Sequence, residues 1–271
     1  MRIIATLILF VFLTGCGGIN KILKNQDAAY KLRMAEKYFV KKKFNYAQQL
    51  YEDIMPYYVN ERESFENIYY KYAYCAYYQL DYLNAENLFK TVVERFPNST
   101  RAEEMEYMRA YAFYKQSPKA ELDQTNTLRT IGMMQTFIST HPGSARSKEA
   151  GEIIDICRQK LEIKEYKSAQ LYFDIGQFRA AGVSFANLSN NFPESARSDE
   201  YKIMVIKSYF RFAELSIEEK KVERFESVIK ECNDFIDRFP ESKLKSEAER
   251  YISLSQNNIK ILNNEPSKTP A

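Results

Sequence analysis

An all-α protein made of stacked antiparallel helix pairs is the fold class this sequence predicts, and three observations predict it. Apolar residues recur at three- and four-residue spacing along nearly the whole chain, as they do on helices with one buried face. After Gly18 only five glycines remain (Gly132, Gly143, Gly151, Gly176 and Gly182), and no stretch alternates as a strand does. Four similar marks recur: Phe96-Pro97-Asn98-Ser99, His141-Pro142-Gly143-Ser144, Phe192-Pro193-Glu194-Ser195 and Phe239-Pro240-Glu241-Ser242. Their prolines lie 45, 51 and 47 residues apart. The residue before a proline disfavours helical angles, so the preceding helix ends there. A serine two places later caps the next helix by accepting from a free backbone N–H. Each mark is therefore a helix stop followed by a helix start, and self-similarity at this period is the signature of a solenoid.

Taken from the N-terminus, the first element is Met1-Arg2 followed by an apolar run from Ile3 to Leu13. That run is too short to cross a bilayer as a helix, which takes about 20 residues. A basic start, a short apolar stretch and small residues after it predict a secretory signal peptide over residues 1–15. Leu13-Thr14-Gly15-Cys16 then resembles the bacterial lipobox. The resemblance implies that Cys16 is acylated and becomes the new N-terminus. One acyl chain holds only marginally, at about 0.8 kcal/mol per buried methylene. Bacterial lipoproteins resemble one another in carrying three, which implies a durable anchor. Gly17-Gly18-Ile19-Asn20 has no aspartate after the cysteine, unlike the inner-membrane retention pattern of enteric bacteria. The expected location is the outer membrane, lipid-anchored and facing the periplasm, with residues 16–27 as a lipidated linker. An ordinary signal peptide with a chance cysteine is the other reading.

Between the marks runs a second regularity. Ala35 and Ala47 lie twelve apart, as do Ala73 and Ala85, and Ala169 and Ala181. Each second alanine has an aromatic three residues before it (Phe44, Tyr82, Phe178) and another four residues after it (Tyr51, Phe89, Phe185). Small residues at matched points let two helices approach closely, and the rings fill the space beside them. This pattern resembles the tetratricopeptide (TPR) repeat, which implies a right-handed α-α superhelix of about five TPR repeats plus a C-terminal capping helix. Tyr69 to Pro97 and Glu165 to Pro193 match well. The first repeat, Ala28 to Asn60, has Pro56 three places early. The third, Ser99 to Pro142, carries roughly eight extra residues around Gln116 to Gln124, which predicts a long loop. The fifth, Ala196 to Pro240, keeps Phe225 and Phe235 but has Ser216 and Val228 at the places of the small residues. Lys243 to Leu262 is the expected cap, which a solenoid end needs for solubility. Residues 263–271 hold two prolines and few apolar side chains, an expected disordered tail.

The formal charge is only +3, from 39 basic and 36 acidic residues, and no basic block points to nucleic acid. Of four cysteines, Cys16 is the lipid site. Cys75, Cys157 and Cys232 lack metal-ligand spacing and read as small buried apolar residues. His141 is the single histidine and stands where the other marks have phenylalanine, a packing residue at a helix end. A lone histidine removes most acid–base, triad and zinc mechanisms. No phosphate loop, G-x-S-x-G or H-E-x-x-H occurs. The expectation is no catalytic residue, no metal and no cofactor. The tyrosines say more: there are 21, and no tryptophan. Groove positions near five, nine and twelve of the repeat fall on Tyr70, Tyr74 and Tyr77 in the second repeat and on Tyr107, Tyr111 and Tyr114 in the third. Tyrosine offers apolar area and a hydroxyl at low entropic cost. These six either bind peptides in a groove or pack adjacent repeats together.

The run Tyr107-Met108-Arg109-Ala110 and the stretch from Tyr166-Lys167-Ser168-Ala169 to Phe192-Pro193-Glu194-Ser195 make the mature chain similar to the outer-membrane protein assembly factor BamD family. Tyr107-Met108-Arg109-Ala110 resembles that family's Y-M-R-G segment, with alanine for the usual glycine. Tyr166-Lys167-Ser168-Ala169-Gln170-Leu171-Tyr172-Phe173, continuing through Gln177-Phe178 to Phe192-Pro193-Glu194-Ser195, resembles its E-Y-S-V-A-E-Y-Y…Y-P-x-[ST] segment. The resemblance implies a non-catalytic component of the BAM complex. It implies that repeats one to three (residues 28–142) face unfolded β-barrel substrates. It implies that repeats four and five with the cap (residues 143–262) face the POTRA domains of a BamA-like barrel. Arg197 is then a BamA-side candidate, or else an ordinary solvated helix-start residue. The rival readings are another periplasmic TPR scaffold, for cell division or peptidoglycan synthesis, and a SusD-like glycan-binding lipoprotein. The absence of tryptophan argues against the second.

Overall fold

The computed structural model describes residues 17–264; the expected signal peptide, Cys16 and residues 265–271 of the expected tail lie outside the described residues. Among the described residues there are twelve α-helices and no strand. The protein is all-α, as the periodicity predicts. The chain forms two compact units, one ending at Arg158 and the other beginning at Gln159. The first holds α1 (Gly17–Leu23), α2 (Ala28–Val40), α3 (Phe44–Ile54), α4 (Arg62–Tyr78), α5 (Tyr82–Arg95), α6 (Ala102–Gln116) and α7 (Thr125–Thr140). Helix α8 (Ser147–Asp174) begins in the first unit and ends in the second. The second unit continues with α9 (Phe178–Asn191), α10 (Ser198–Glu214), α11 (Glu218–Arg238) and α12 (Lys245–Asn264).

The six notch alanines are all fully buried, at 0% exposure, and so are Tyr51, Phe89 and Phe185. Two kinds of turn then recur. Within a pair, Lys42, Leu80 and Gly176 take left-handed backbone angles (φ 57°, 65° and 79°) at equivalent places, five residues before Ala47, Ala85 and Ala181. The next N–H in each reaches back to a carbonyl five residues earlier: Lys43 to Tyr38, Asp81 to Ala76 and Gln177 to Tyr172. This is a Schellman closure, which suits glycine and strains lysine and leucine. Between pairs, Phe96, His141, Phe192 and Phe239 have nearly identical angles (φ −129°, −126°, −129° and −129°). Each donates its N–H to the carbonyl four residues back, which closes the helix ahead of the proline.

The exceptions have local causes. Early Pro56 lies at the start of a 3-10 turn, Met55–Tyr58, that tightens the end of α3. The extra residues of the third repeat form the loop between α6 and α7. Buried Gln124 closes that loop by donating to the carbonyls of Lys119 (2.8 Å) and Leu122 (3.0 Å) while accepting from Thr127 (2.6 Å). Helix α8 is 28 residues long and starts well before Glu165, because nothing stronger than Gly151 interrupts Ser147 to Asp174. Helix α12 extends to Asn264, two residues into the segment 263–271.

The fifth repeat corrects the sequence reading. Ser216 lies in the turn after α10 and is no helix notch. Counted from Asp199 and Ser242, the notch places belong to Ile206 and Val228, both 0% exposed. The ring of repeats one, two and four (Tyr51, Phe89 and Phe185) is replaced there by Cys232, also 0% exposed.

Candidate functional site

The four proline marks each anchor the same small constellation. The mark serine accepts from the backbone N–H two residues on: Arg101 on Ser99 (3.0 Å), Arg146 on Ser144 (3.1 Å), Arg197 on Ser195 (3.1 Å) and Leu244 on Ser242 (3.1 Å). Its hydroxyl donates to an acid on the first helix of the repeat that the mark closes. The pairs are Ser99 to Glu66 (2.5 Å), Ser144 to Glu103 (2.6 Å), Ser195 to Glu162 and Ser242 to Asp199 (2.6 Å). One helix turn beyond each glutamate stands a tyrosine, and the arginine after the serine lies over it. Arg101 sits 4.4 Å from the Tyr70 ring centre, Arg146 5.7 Å from Tyr107, and Arg197 4.5 Å from Tyr166. Such stacking contributes about 0.5–1 kcal/mol at exposed sites. The fifth repeat keeps the acid and serine but has Ile203 and Leu244 in place of tyrosine and arginine.

The groove tyrosines are built into this frame. None of the six is exposed; Tyr74 and Tyr107 are buried, at 8% and 4%, and the other four are half-buried. Tyr74 donates to Glu104 at 2.5 Å, and Tyr70 reaches the same carboxylate at 3.4 Å. Tyr77 and Tyr111 meet across α4 and α6 with ring centres 6.3 Å apart, and Tyr107, Tyr111 and Tyr114 form a continuous run. The structure thus gives all six a packing role between adjacent helices. The buried Tyr107 hydroxyl lies beside the Glu149 carboxylate without a hydrogen bond of ordinary geometry. Burial pushes the Tyr77 hydroxyl up to about 12, helped by Tyr111, Tyr82, Tyr78 and Glu149. Burial also raises Tyr70, Tyr74 and Tyr107. These hydroxyls therefore stay protonated near neutral pH.

Arg197 is no loose helix-start residue. It is held over Tyr166 and Tyr201 and donates to Glu200 at 2.8 Å, while its side chain keeps 44% exposure. His141 packs on Phe137 and meets Glu106 at 2.8 Å. Cys75, Cys157 and Cys232 are all buried, at 0% exposure. The acids under the serines, and Arg101 and Arg146, were not singled out by sequence. The signal was there: a glutamate one helix turn before Tyr70, Tyr107 and Tyr166, and an arginine two residues after Ser99, Ser144 and Ser195.

Comparisons with known proteins complete the description. A family model described as outer membrane lipoprotein, YfiO, matches residues 24–182. The putative outer membrane protein assembly factor BamD of Aquifex aeolicus (strain VF5) is 24% identical over 198 residues, 73% of this chain. The match spans 64% of that relative's length, under two thirds. Among solved structures, the TPR2AB domain of yeast Sti1 in its pHSP90 complex aligns with a TM-score of 0.39 and 12% identity, over 84% of this chain and 98% of that one.

Proposed function

The chain belongs to the YfiO family of outer membrane lipoproteins, and from that premise we propose that it is a non-catalytic outer-membrane protein assembly factor. On this reading it is tethered by acylated Cys16 to the periplasmic face of the outer membrane and works as a component of a BAM complex. The match of the family model over residues 24–182 is the observation that carries the reading. The name of the Aquifex relative agrees with it.

The division of labour follows the repeats. The half-buried edges of Tyr70, Tyr77, Tyr111 and Tyr114, with Tyr74 and Tyr107 fixed beneath them, offer unfolded β-barrel segments a rigid aromatic surface. Rings already immobilised by packing cost little entropy when a segment stacks on them. The repeats after residue 143, with Arg197 pre-oriented on its two tyrosines, face the POTRA domains of a BamA-like barrel. A guanidinium held in place loses little freedom on pairing with a carboxylate of the partner.

The test is a mild-detergent pull-down from outer membranes with mass spectrometry. A BamA-like barrel with POTRA domains is expected, and Arg197→Ala lowers its recovery. Recovery of division or peptidoglycan-synthesis proteins with no such barrel refutes the assembly reading and leaves a scaffold of another kind.

A further inference from the structure

The two units repeat one groove, with a carboxylate among the wall residues of the first and none among those of the second. In the first unit, α5, α6 and α7 enclose a cavity of about 480 Å³ that includes Asn87, Phe113 and Arg129. In the second, α9, α10 and α11 enclose one of about 360 Å³, lined by Arg179, Val183, Tyr209, Phe212, Arg224 and Ser227. Counted from the mark serines and the acids that they hold, Asn87 corresponds to Val183, Phe113 to Tyr209 and Arg129 to Ser227. The first groove supplies its own carboxylate: Glu86, its side chain 9% exposed, accepts from Arg109 at 2.8 Å. In the second, the place of Glu86 belongs to Gly182 and that of Arg109 to Val205. The Tyr209 ring moves onto the vacated glycine so closely that a Cβ there would lie 2.4 Å from it.

The second groove therefore has cations and no anion in its walls. Arg224 is stacked on Phe212, 4.1 Å from the ring centre, and donates to the Ser216 hydroxyl, while the adjacent Glu223 carboxylate, outside the groove lining, is held by Lys220 at 2.9 Å. Arg179 makes no ion pair among the described residues. Glu231, the carboxylate that approaches Tyr209, is committed to Lys202 at 2.5 Å. Val183 is 47% exposed at the rim and adds an apolar ledge. Two guanidiniums beside aromatic and aliphatic walls match a carboxylate with apolar neighbours, because arginine pairs with carboxylates through two parallel hydrogen bonds.

We propose that this groove is a docking site for an acidic segment of a partner protein, in which an Asp or Glu side chain enters between Arg179 and Arg224 and a flanking apolar residue rests on Val183. The charge complementarity and the missing wall carboxylate single out a side-chain acid. The site is independent of the assembly reading, and a peptide experiment decides it whatever the pull-down recovers.

The experiment uses the full mature chain in detergent micelles. The probe is a fluorescent, acetylated and amidated six-residue peptide with two glutamates between leucine and phenylalanine, followed by anisotropy. Saturable binding is expected, weakened at least tenfold by Arg179→Ala and by Arg224→Gln and unchanged by Arg129→Ala in the first unit. The all-glutamine peptide is expected not to bind, nor is a glutamine peptide whose only acid is a free C-terminus. Circular dichroism and a thermal melt identify any variant that unfolds, and Arg179→Gln then replaces it. Equal affinity for the glutamine peptide, indifference to both arginine substitutions, preference for the free C-terminus, or no saturable binding overturns the proposal.

Discussion

In repeat two, Ala73 and Ala85 hold the notch places and Phe89 supplies the wedge; in repeat five the same places hold Ile206, Val228 and Cys232, and all six side chains are fully buried. Where the notch residues grow, the wedge shrinks. Cores tolerate such exchanges when total volume is kept, because close packing penalises both voids and overlaps. The repeats also differ at their marks. Repeat two stacks Arg101 on Tyr70, while repeat five has Leu244 and Ile203 there and keeps only the Ser242–Asp199 hydrogen bond. The serine–acid contact is thus common to both, and the arginine–tyrosine pair is an addition of repeats two to four. The mark closes the helical hairpin of repeat five without its aromatic half.

The largest expected effect tests the wedge. Phe89→Ala leaves a ring-sized void in repeat two and costs about 3–5 kcal/mol, whereas Cys232→Ala removes one sulfur and costs about 1 kcal/mol. Urea unfolding of the full chain measures both, and equal losses break the volume argument. The converse change, Cys232→Phe, overpacks repeat five by about 1–3 kcal/mol. Next comes Gly182→Ala, whose new methyl collides with the Tyr209 ring and costs about 1–3 kcal/mol. Combining it with Tyr209→Ala should cost less than the two separate losses added together, since the sites are in contact. The intra-pair turns give smaller shifts of opposite sign. Leu80→Gly and Lys42→Gly relieve left-handed angles and each raises stability by up to about 1 kcal/mol, whereas Gly176→Ala lowers it by a similar amount. Identical melting temperatures for Leu80→Gly and the parent contradict the strain reading.

A pH dependence is shared by both regions and appears only in alkali. Burial pushes Cys75, Cys232, Tyr77 and Tyr201 up to about 12 each in the folded protein. Unfolded thiols ionise near 9 and phenols near 10. Because the folded state holds its protons longer, the associated stability is complete below about pH 9 and is lost as pH climbs toward 12. Urea midpoints at intervals from pH 8 to 11.5 follow this loss, and Cys75→Ala and Cys232→Ala each flatten its early part. A midpoint that stays level to pH 11 refutes it.

Much of this was legible in the chain. The prolines, the alanines twelve apart and the long loop before Gln124 act through local sterics and short-range periodicity, so the sequence by itself determined the helices, their breaks and which small residues face inward. It did not determine the register of the fifth repeat. Ser216 satisfies the twelve-residue spacing, but the chain instead uses Ile206 and Val228, a choice that depends on how much volume the neighbouring helix leaves. Nor did it determine which acid sits beneath which serine, or that Glu86 is answered by a glycine in the second unit. Those partners lie 33 to 43 residues apart at the serines and on different helices everywhere. Side chains so distant in sequence meet only when helices pack, and packing, not local preference, fixed the aromatic frame and left one groove without its counter-charge.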